Sequence, residues 1–127
     1  MTVMLWCLLA VIVLPVLAKA PLAYAMHQVD GYDNAHPRDQ QAKLSGFGAR
    51  ALAAHKNSFE AIAYFAPAVI AVLALDAVDS AAQTLALVFV ATRVLYVVSY
   101  WLNYDKLRSI FWIVGFGCAL ALIVRLL

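Results

Sequence analysis

Four apolar stretches dominate the 127-residue chain, at residues 2–26, 51–75, 80–102 and 109–127. Each approaches the roughly 20 residues that an α-helix needs to cross a hydrocarbon core. In lipid, a helix satisfies its own backbone polar groups, so runs of this length commit the chain to an all-α, integral membrane four-helix bundle in a single domain. Composition agrees, with 66% hydrophobic and 13% charged residues, against about 45–50% and about 25% in a soluble domain. Nine Lys and Arg face seven Asp and Glu with no basic run. That argues for membrane lipid as the surrounding partner and against nucleic acid. Cys7 and Cys118 both lie inside apolar runs without a CxxC, and read as small core residues.

The first stretch carries Pro15, a kink that a membrane helix tolerates when neighbours satisfy the freed backbone. Ala18-Lys19-Ala20 mimics a signal cleavage site, but the start lacks Lys and Arg and Pro21 would follow the cut, so a retained helix is expected. The segment from His27 to Gly48 is polar and rich in turn residues, and reads as the one substantial loop. Only Asp76 to Ser80 separates the second and third spans, which makes them antiparallel neighbours. Arg38 and Lys43 in the long loop, and Lys106 and Arg108 in the third connection, contrast with a 76–80 turn that has no cation. The positive-inside rule therefore places the 27–50 segment in the cytoplasm and both termini on the far side, with Arg125 dissenting.

Charges inside spans cost about 2.5–3.5 kcal/mol each, so Glu60 and Arg93 need partners. Counted from the short turn at 1.5 Å per residue, they lie about 24 and about 20 Å from one membrane face, and a direct Glu60–Arg93 ion pair is expected. At 100° per residue, Arg50, Ala53, Asn57, Glu60 and Tyr64 fall within an arc of about 80°, while Arg93, Tyr96, Tyr100, Asn103 and Tyr104 fall within about 100°. Two facing stripes of cations, amides and phenols describe a cleft suited to an anionic guest. Interhelical glue with a tyrosine belt accounts for the same residues. His27, Asp30, Asp33, His36 and Asp39 match no metal-ligand spacing and read as solvated loop residues, and His55 as interfacial.

The run Arg50-Ala-Leu-Ala-Ala-His-Lys-Asn57-Ser-Phe-Glu60, followed by Tyr64-Phe65-Ala66-Pro67, resembles the second-helix signature of the MAPEG family, the membrane-associated proteins in eicosanoid and glutathione metabolism. Arg93-Val-Leu-Tyr96-Val-Val-Ser-Tyr100 and Leu107-Arg108-Ser109 are similar to its third-helix tyrosine motif and its Arg-Ser entry to helix four. The Asp33-Asn34 and Pro37-Arg38 segment resembles the bacterial branch, which implies a bacterial inner membrane. The resemblance implies a homotrimer that holds glutathione, as co-substrate, between neighbouring subunits. It implies that Asn57 and Glu60 bind the glutathione backbone, that Tyr96 and Tyr100 touch the peptide, and that Arg108, with Ser109 as second candidate, sits beside the sulfur. Arg50 and Arg93 complete the ligand-binding cations. One departure stands out: four residues before the asparagine, where well-studied members carry arginine, this chain has Ala53.

A free thiol titrates near pH 8.5, so a guanidinium beside it raises the small thiolate fraction present at neutral pH. The expected function is a membrane-bound glutathione transferase or peroxidase acting on apolar electrophiles or lipid hydroperoxides. The alternative is a non-catalytic membrane protein whose polar residues hold the oligomer or bind a lipid or other anion. Transport is disfavoured because Val69–Leu75 and Leu85–Val90 offer no polar steps across the membrane.

Overall fold

The computed structural model describes residues 1–127 and contains five helices and no strand. They are α1 (Thr2–Asp30), α2 (Pro37–Ala42), α3 (Gly46–Ala74), α4 (Ser80–Trp101) and α5 (Asp105–Val124). Four of them, all but α2, are long and apolar enough to cross a membrane. The protein is a multi-pass integral membrane protein.

The helices overrun the apolar stretches at their polar ends. α1 continues through His27–Asp30, α3 starts at Gly46, before residue 51, and α5 starts at Asp105, before residue 109. The 27–50 segment is thus only partly loop, with the six-residue α2 at its middle. One glycine that reads as a turn signal serves close packing: a Cβ on Gly48 would lie 3.3 Å from the Ala25 Cβ, so α1 and α3 pack closely there. Gln40 ties the segment down, its amide donating to the carbonyls of Met26 at 3.1 Å and Gly31 at 2.6 Å while its oxygen accepts from the Asp33 N–H. The bond to Gly31 satisfies the carbonyl of the residue that caps the end of α1. His27, Asp30, Asp33, His36 and Asp39 do not converge on a metal-binding geometry; Asp33 instead accepts the backbone N–H groups of Ala35 and His36.

Both short inter-helix turns close the same way. After α3, Ala77 N–H donates to the Val72 carbonyl with Asp76 at φ 50°; after α4, Tyr104 N–H donates to the Ser99 carbonyl with Asn103 at φ 63°. These are Schellman closures with a non-glycine residue in the left-handed region. The second sets how α5 leaves α4, and so where Arg108 lands.

α1 packs on α3, α4 on α5, and α3 joins the two pairs. The largest core cluster fills the half nearer the termini, with Met4, Cys7 and Val11 of α1, Phe65, Val69 and Val72 of α3, Phe89 of α4, and Cys118 and Leu122 of α5. Phe65 and Phe89 stack at 4.0 Å between centroids. Both cysteines are free and buried. Toward the long connection the core divides into smaller clusters around Ala54 and Tyr96, and around Leu22 and Met26. Trp6, Leu17, Ile70, Ile113 and many other large apolar side chains face outward, the surface expected of a bundle solvated by acyl chains.

Candidate functional site

The polar side chains meet where the core divides. Arg93 is wholly buried on α4. Its Nη2 donates to the Asn57 side-chain oxygen at 2.6 Å and to the Asn57 carbonyl at 3.4 Å. Asn57 Nδ2 in turn donates to Glu60 Oε2 at 2.6 Å. The expected direct Glu60–Arg93 ion pair is therefore absent, and the Asn57 amide stands between the two charges. The reason is geometric and chemical. Asn57 lies one turn from Glu60 on the same face, and an amide has both the acceptor that Arg93 requires and the donor that the carboxylate requires. Glu60 is exposed on the surface of the single chain, so its charge needs water or a further polar group beside it at this depth. Arg93 Nε and Nη1 are buried without a partner in the chain.

From Arg93 the site continues along α4 as a ladder of cations and rings. The Arg93 guanidinium lies 4.2 Å from the Tyr96 ring centroid. Tyr96 meets Tyr100 edge to face at 5.6 Å, and the Arg108 guanidinium lies 4.3 Å from the Tyr100 ring. The i, i+3 and i+7 spacing of Arg93, Tyr96 and Tyr100 aligns them on one face, and cation–π attraction holds each guanidinium over a ring. Arg108 and Ser109 occupy the first turn of α5, where Ser109 Oγ donates to the Asp105 carbonyl at 3.1 Å. α5 approaches α4 closely because Gly115 has no side chain: a Cβ there would lie 2.8 Å from Thr92 Oγ1. Together Tyr96, Arg108, Ser109, Trp112 and Ile113 line a groove of about 290 Å³.

This whole-chain pattern has a counterpart among known proteins. The MAPEG family model matches residues 3–127. The chain belongs to the MAPEG family. No curated protein and no solved structure matches it. The family includes glutathione transferases and peroxidases together with other members.

Within this MAPEG chain, seven of the eight side chains singled out in the sequence form one connected array: Asn57, Glu60, Arg93, Tyr96, Tyr100, Arg108 and Ser109. Arg50 does not join it. Its guanidinium lies 6.0 Å from the Phe47 ring and its Nε is buried without a partner, because it sits two helical turns before Asn57, beyond reach of the array. Asn57 and Glu60 belong to the array through Arg93 but do not line the groove at Arg108, so the two stripes do not enclose a single cleft within one chain. Ala53, one turn before Asn57, presents a methyl group where a cation would lengthen the stripe.

One contact and one groove residue lay beyond the reading from sequence: the partner of the interfacial His55, and Trp112. His55 lies with Nδ1 2.9 Å from the Pro15 carbonyl oxygen; since a carbonyl only accepts, Nδ1 carries the proton and braces α3 against the proline-bearing turn of α1. Trp112 lines the groove, yet an aromatic residue inside an apolar run carries no signal that separates it from a lipid-facing one.

Proposed function

We propose that this MAPEG protein is a glutathione-dependent transferase or peroxidase of the membrane that acts on apolar electrophiles or lipid hydroperoxides. The carrying observation is the continuous array from Glu60 to Arg108, which ends at a groove in which a guanidinium and a hydroxyl stand side by side. In this reading Asn57, Glu60, Arg93, Tyr96 and Tyr100 hold the tripeptide: the exposed Glu60 carboxylate takes its ammonium group, and the phenols flank its backbone. Arg50 lies outside the array of its own chain and enters this reading only as a cation offered across a subunit boundary. Arg108 holds the thiolate, and Ser109 is the second donor toward sulfur. A thiolate stabilised by a guanidinium in hydrogen-bond reach is present in a larger fraction at neutral pH and is the nucleophile.

The half-exposed Asn57 and the exposed Glu60 support completion of the site by a neighbouring subunit, in a homotrimer with glutathione between protomers. The cations of the long connection support an orientation with that segment in the cytoplasm, in a bacterial inner membrane. Apolar electrophiles then arrive laterally from the bilayer and thiol arrives from water.

The test is the ultraviolet absorbance of thiolate when glutathione is added to purified protein. Wild type develops the band, and Arg108→Ala loses most of it while still binding glutathione. An unchanged spectrum in the variant removes Arg108 from this role. A second reading, a non-catalytic protein whose polar array only assembles the bundle, is favoured by the complete burial of Arg93. It predicts no saturable stabilisation by millimolar glutathione.

A further inference from the structure

Arg93 gives the array only part of its guanidinium. Nη2 serves Asn57, while the N–H bonds of Nε and Nη1 find no acceptor in the chain. Arg93 is wholly buried, so bulk water, lipid and a neighbouring subunit are out of reach, and whatever accepts these bonds lies inside the bundle. At membrane depth an unmet charged donor is costly. The surroundings show where the acceptor sits. Tyr64 of α3 carries a buried hydroxyl that also lacks a partner, and it stands near enough to the guanidinium for the two to interact electrostatically. Its ring is fixed edge to face against Phe89 of α4 at 5.9 Å and Phe116 of α5 at 5.3 Å. Phe89 lies one turn before Arg93. Gly115 precedes Phe116, and a Cβ there would lie 3.9 Å from Arg93 Cδ, the carbon that bears Nε. α5 thus meets this side of Arg93 with backbone and no side-chain acceptor, while Thr92 Oγ1 donates its proton to the Phe89 carbonyl at 2.7 Å.

We infer that α3, α4 and α5 enclose an internal water site, in which water accepts from Nε and Nη1 of Arg93 and is joined to the Tyr64 hydroxyl. Water fits both ends of this gap: it accepts from a guanidinium, and it can either donate to a phenol or accept from one, reaching the about three hydrogen bonds usual for a buried water. A single anion fits less well. The Nε and Nη1 hydrogens diverge in the plane of the guanidinium, so one ion cannot bond both, and the Glu60 charge already reaches Arg93 through the Asn57 amide. The site lies behind the array rather than in the groove. It stands whether or not the chain uses glutathione, and it is tested without thiol.

The experiment is a double-mutant cycle in detergent-purified protein, read by melting temperature. Tyr64→Phe removes one hydroxyl and keeps the ring. It is expected to melt about 4 °C below wild type, and to cost nothing when made in Asn57→Leu/Arg93→Met protein, where the donors are gone. An unchanged or higher melting temperature in the first case, the response of a buried hydroxyl that bonds to nothing, overturns the site, and so does an equal loss in both backgrounds. Salt identity separates water from an ion. The loss is expected to be the same in chloride and in gluconate; stabilisation by chloride that disappears in Tyr64→Phe would put a halide there and overturns the water. Magnetisation transfer in protein carrying isotope-labelled arginine reads the water itself, with the Arg93 signal assigned by its loss in Asn57→Leu/Arg93→Met. A slowly exchanging Nε–H with a cross-peak to water is expected. A slowly exchanging Nε–H without that cross-peak, or one that exchanges as fast as that of the exposed Arg38, overturns the proposal.

Discussion

The two halves of the bundle are built from the same helices and filled in opposite ways. Near the termini, α1, α3, α4 and α5 meet in one continuous apolar cluster in which small residues such as Ala61, Ala68 and Ala86 let Phe65 and Phe89 stack. Near the long connection the same helices enclose a buried guanidinium, an amide relay and two phenol rings, and the apolar core breaks into fragments. The first half can supply stability without chemistry. The second departs from apolar packing at each site position, and such departures concentrate where a protein binds or reacts. The difference shows that one end holds the helices together so that the other can carry polar groups at membrane depth.

That division of labour can be broken first at Asn57. Asn57→Leu removes the hydrogen-bonding partner of the wholly buried Arg93, and a loss of about 3–5 kcal/mol in equilibrium unfolding in detergent is expected. Asn57→Leu/Arg93→Met, which makes the site apolar, should recover most of that loss while glutathione binding stays absent. The apolar half gives the mirror result. Phe65→Ala removes a fully buried stacked ring, for an expected cost of about 3–4 kcal/mol, yet should leave glutathione affinity within about twofold by calorimetry. A shared loss of affinity would mean that the halves are not separable.

The comparison is sharpened by the contact that joins them. Gly115→Ala forces a Cβ to within 2.8 Å of Thr92 Oγ1, and an expected cost of about 1–3 kcal/mol in unfolding should be relieved in Gly115→Ala/Thr92→Ala. The smallest effect lies at the far face, where Asp79 caps α4 by accepting from Ala82 N–H at 2.7 Å and pairs with Arg125. The Arg125 hydrogen bond, followed by that of the Ala82 N–H, holds the Asp79 carboxyl below the usual aspartate range. Its folded pKa is lower than its unfolded one, so its contribution is complete above about pH 4 and is lost as pH falls through the folded value. Melting temperatures of wild type and Asp79→Asn should differ at neutral pH and converge on acidification. A difference that grows in acid would reverse the assignment.

The transmembrane architecture was legible because a run of about 20 apolar residues has few alternatives to a spanning helix. Helix ends were not. Once a helix leaves the membrane its residues turn polar, and His27–Asp30, Gly46–Arg50 and Asp105–Arg108 then resemble loop although their backbone bonds continue. Depth arithmetic brought Glu60 and Arg93 to one level. It could not reveal that Asn57 would insert between them, because that depends on side-chain reach rather than helical register. The tyrosine ladder and its approach to Arg108 were legible from the spacing on α4, but the seating of the Arg108 guanidinium over the Tyr100 ring was not, since that contact depends on the Asn103 closure that aims α5. Arg50 shared the angular stripe but lay too many turns away, for angle alone carries no height.

The central claim is tested most directly by titrating glutathione into the purified protein in a calorimeter, beside Asn57→Leu/Arg93→Met as the apolar control. Saturable binding to wild type at millimolar concentration or below, absent from the control, is the predicted result. Heats that never saturate in wild type, or saturate equally in both proteins, would contradict it.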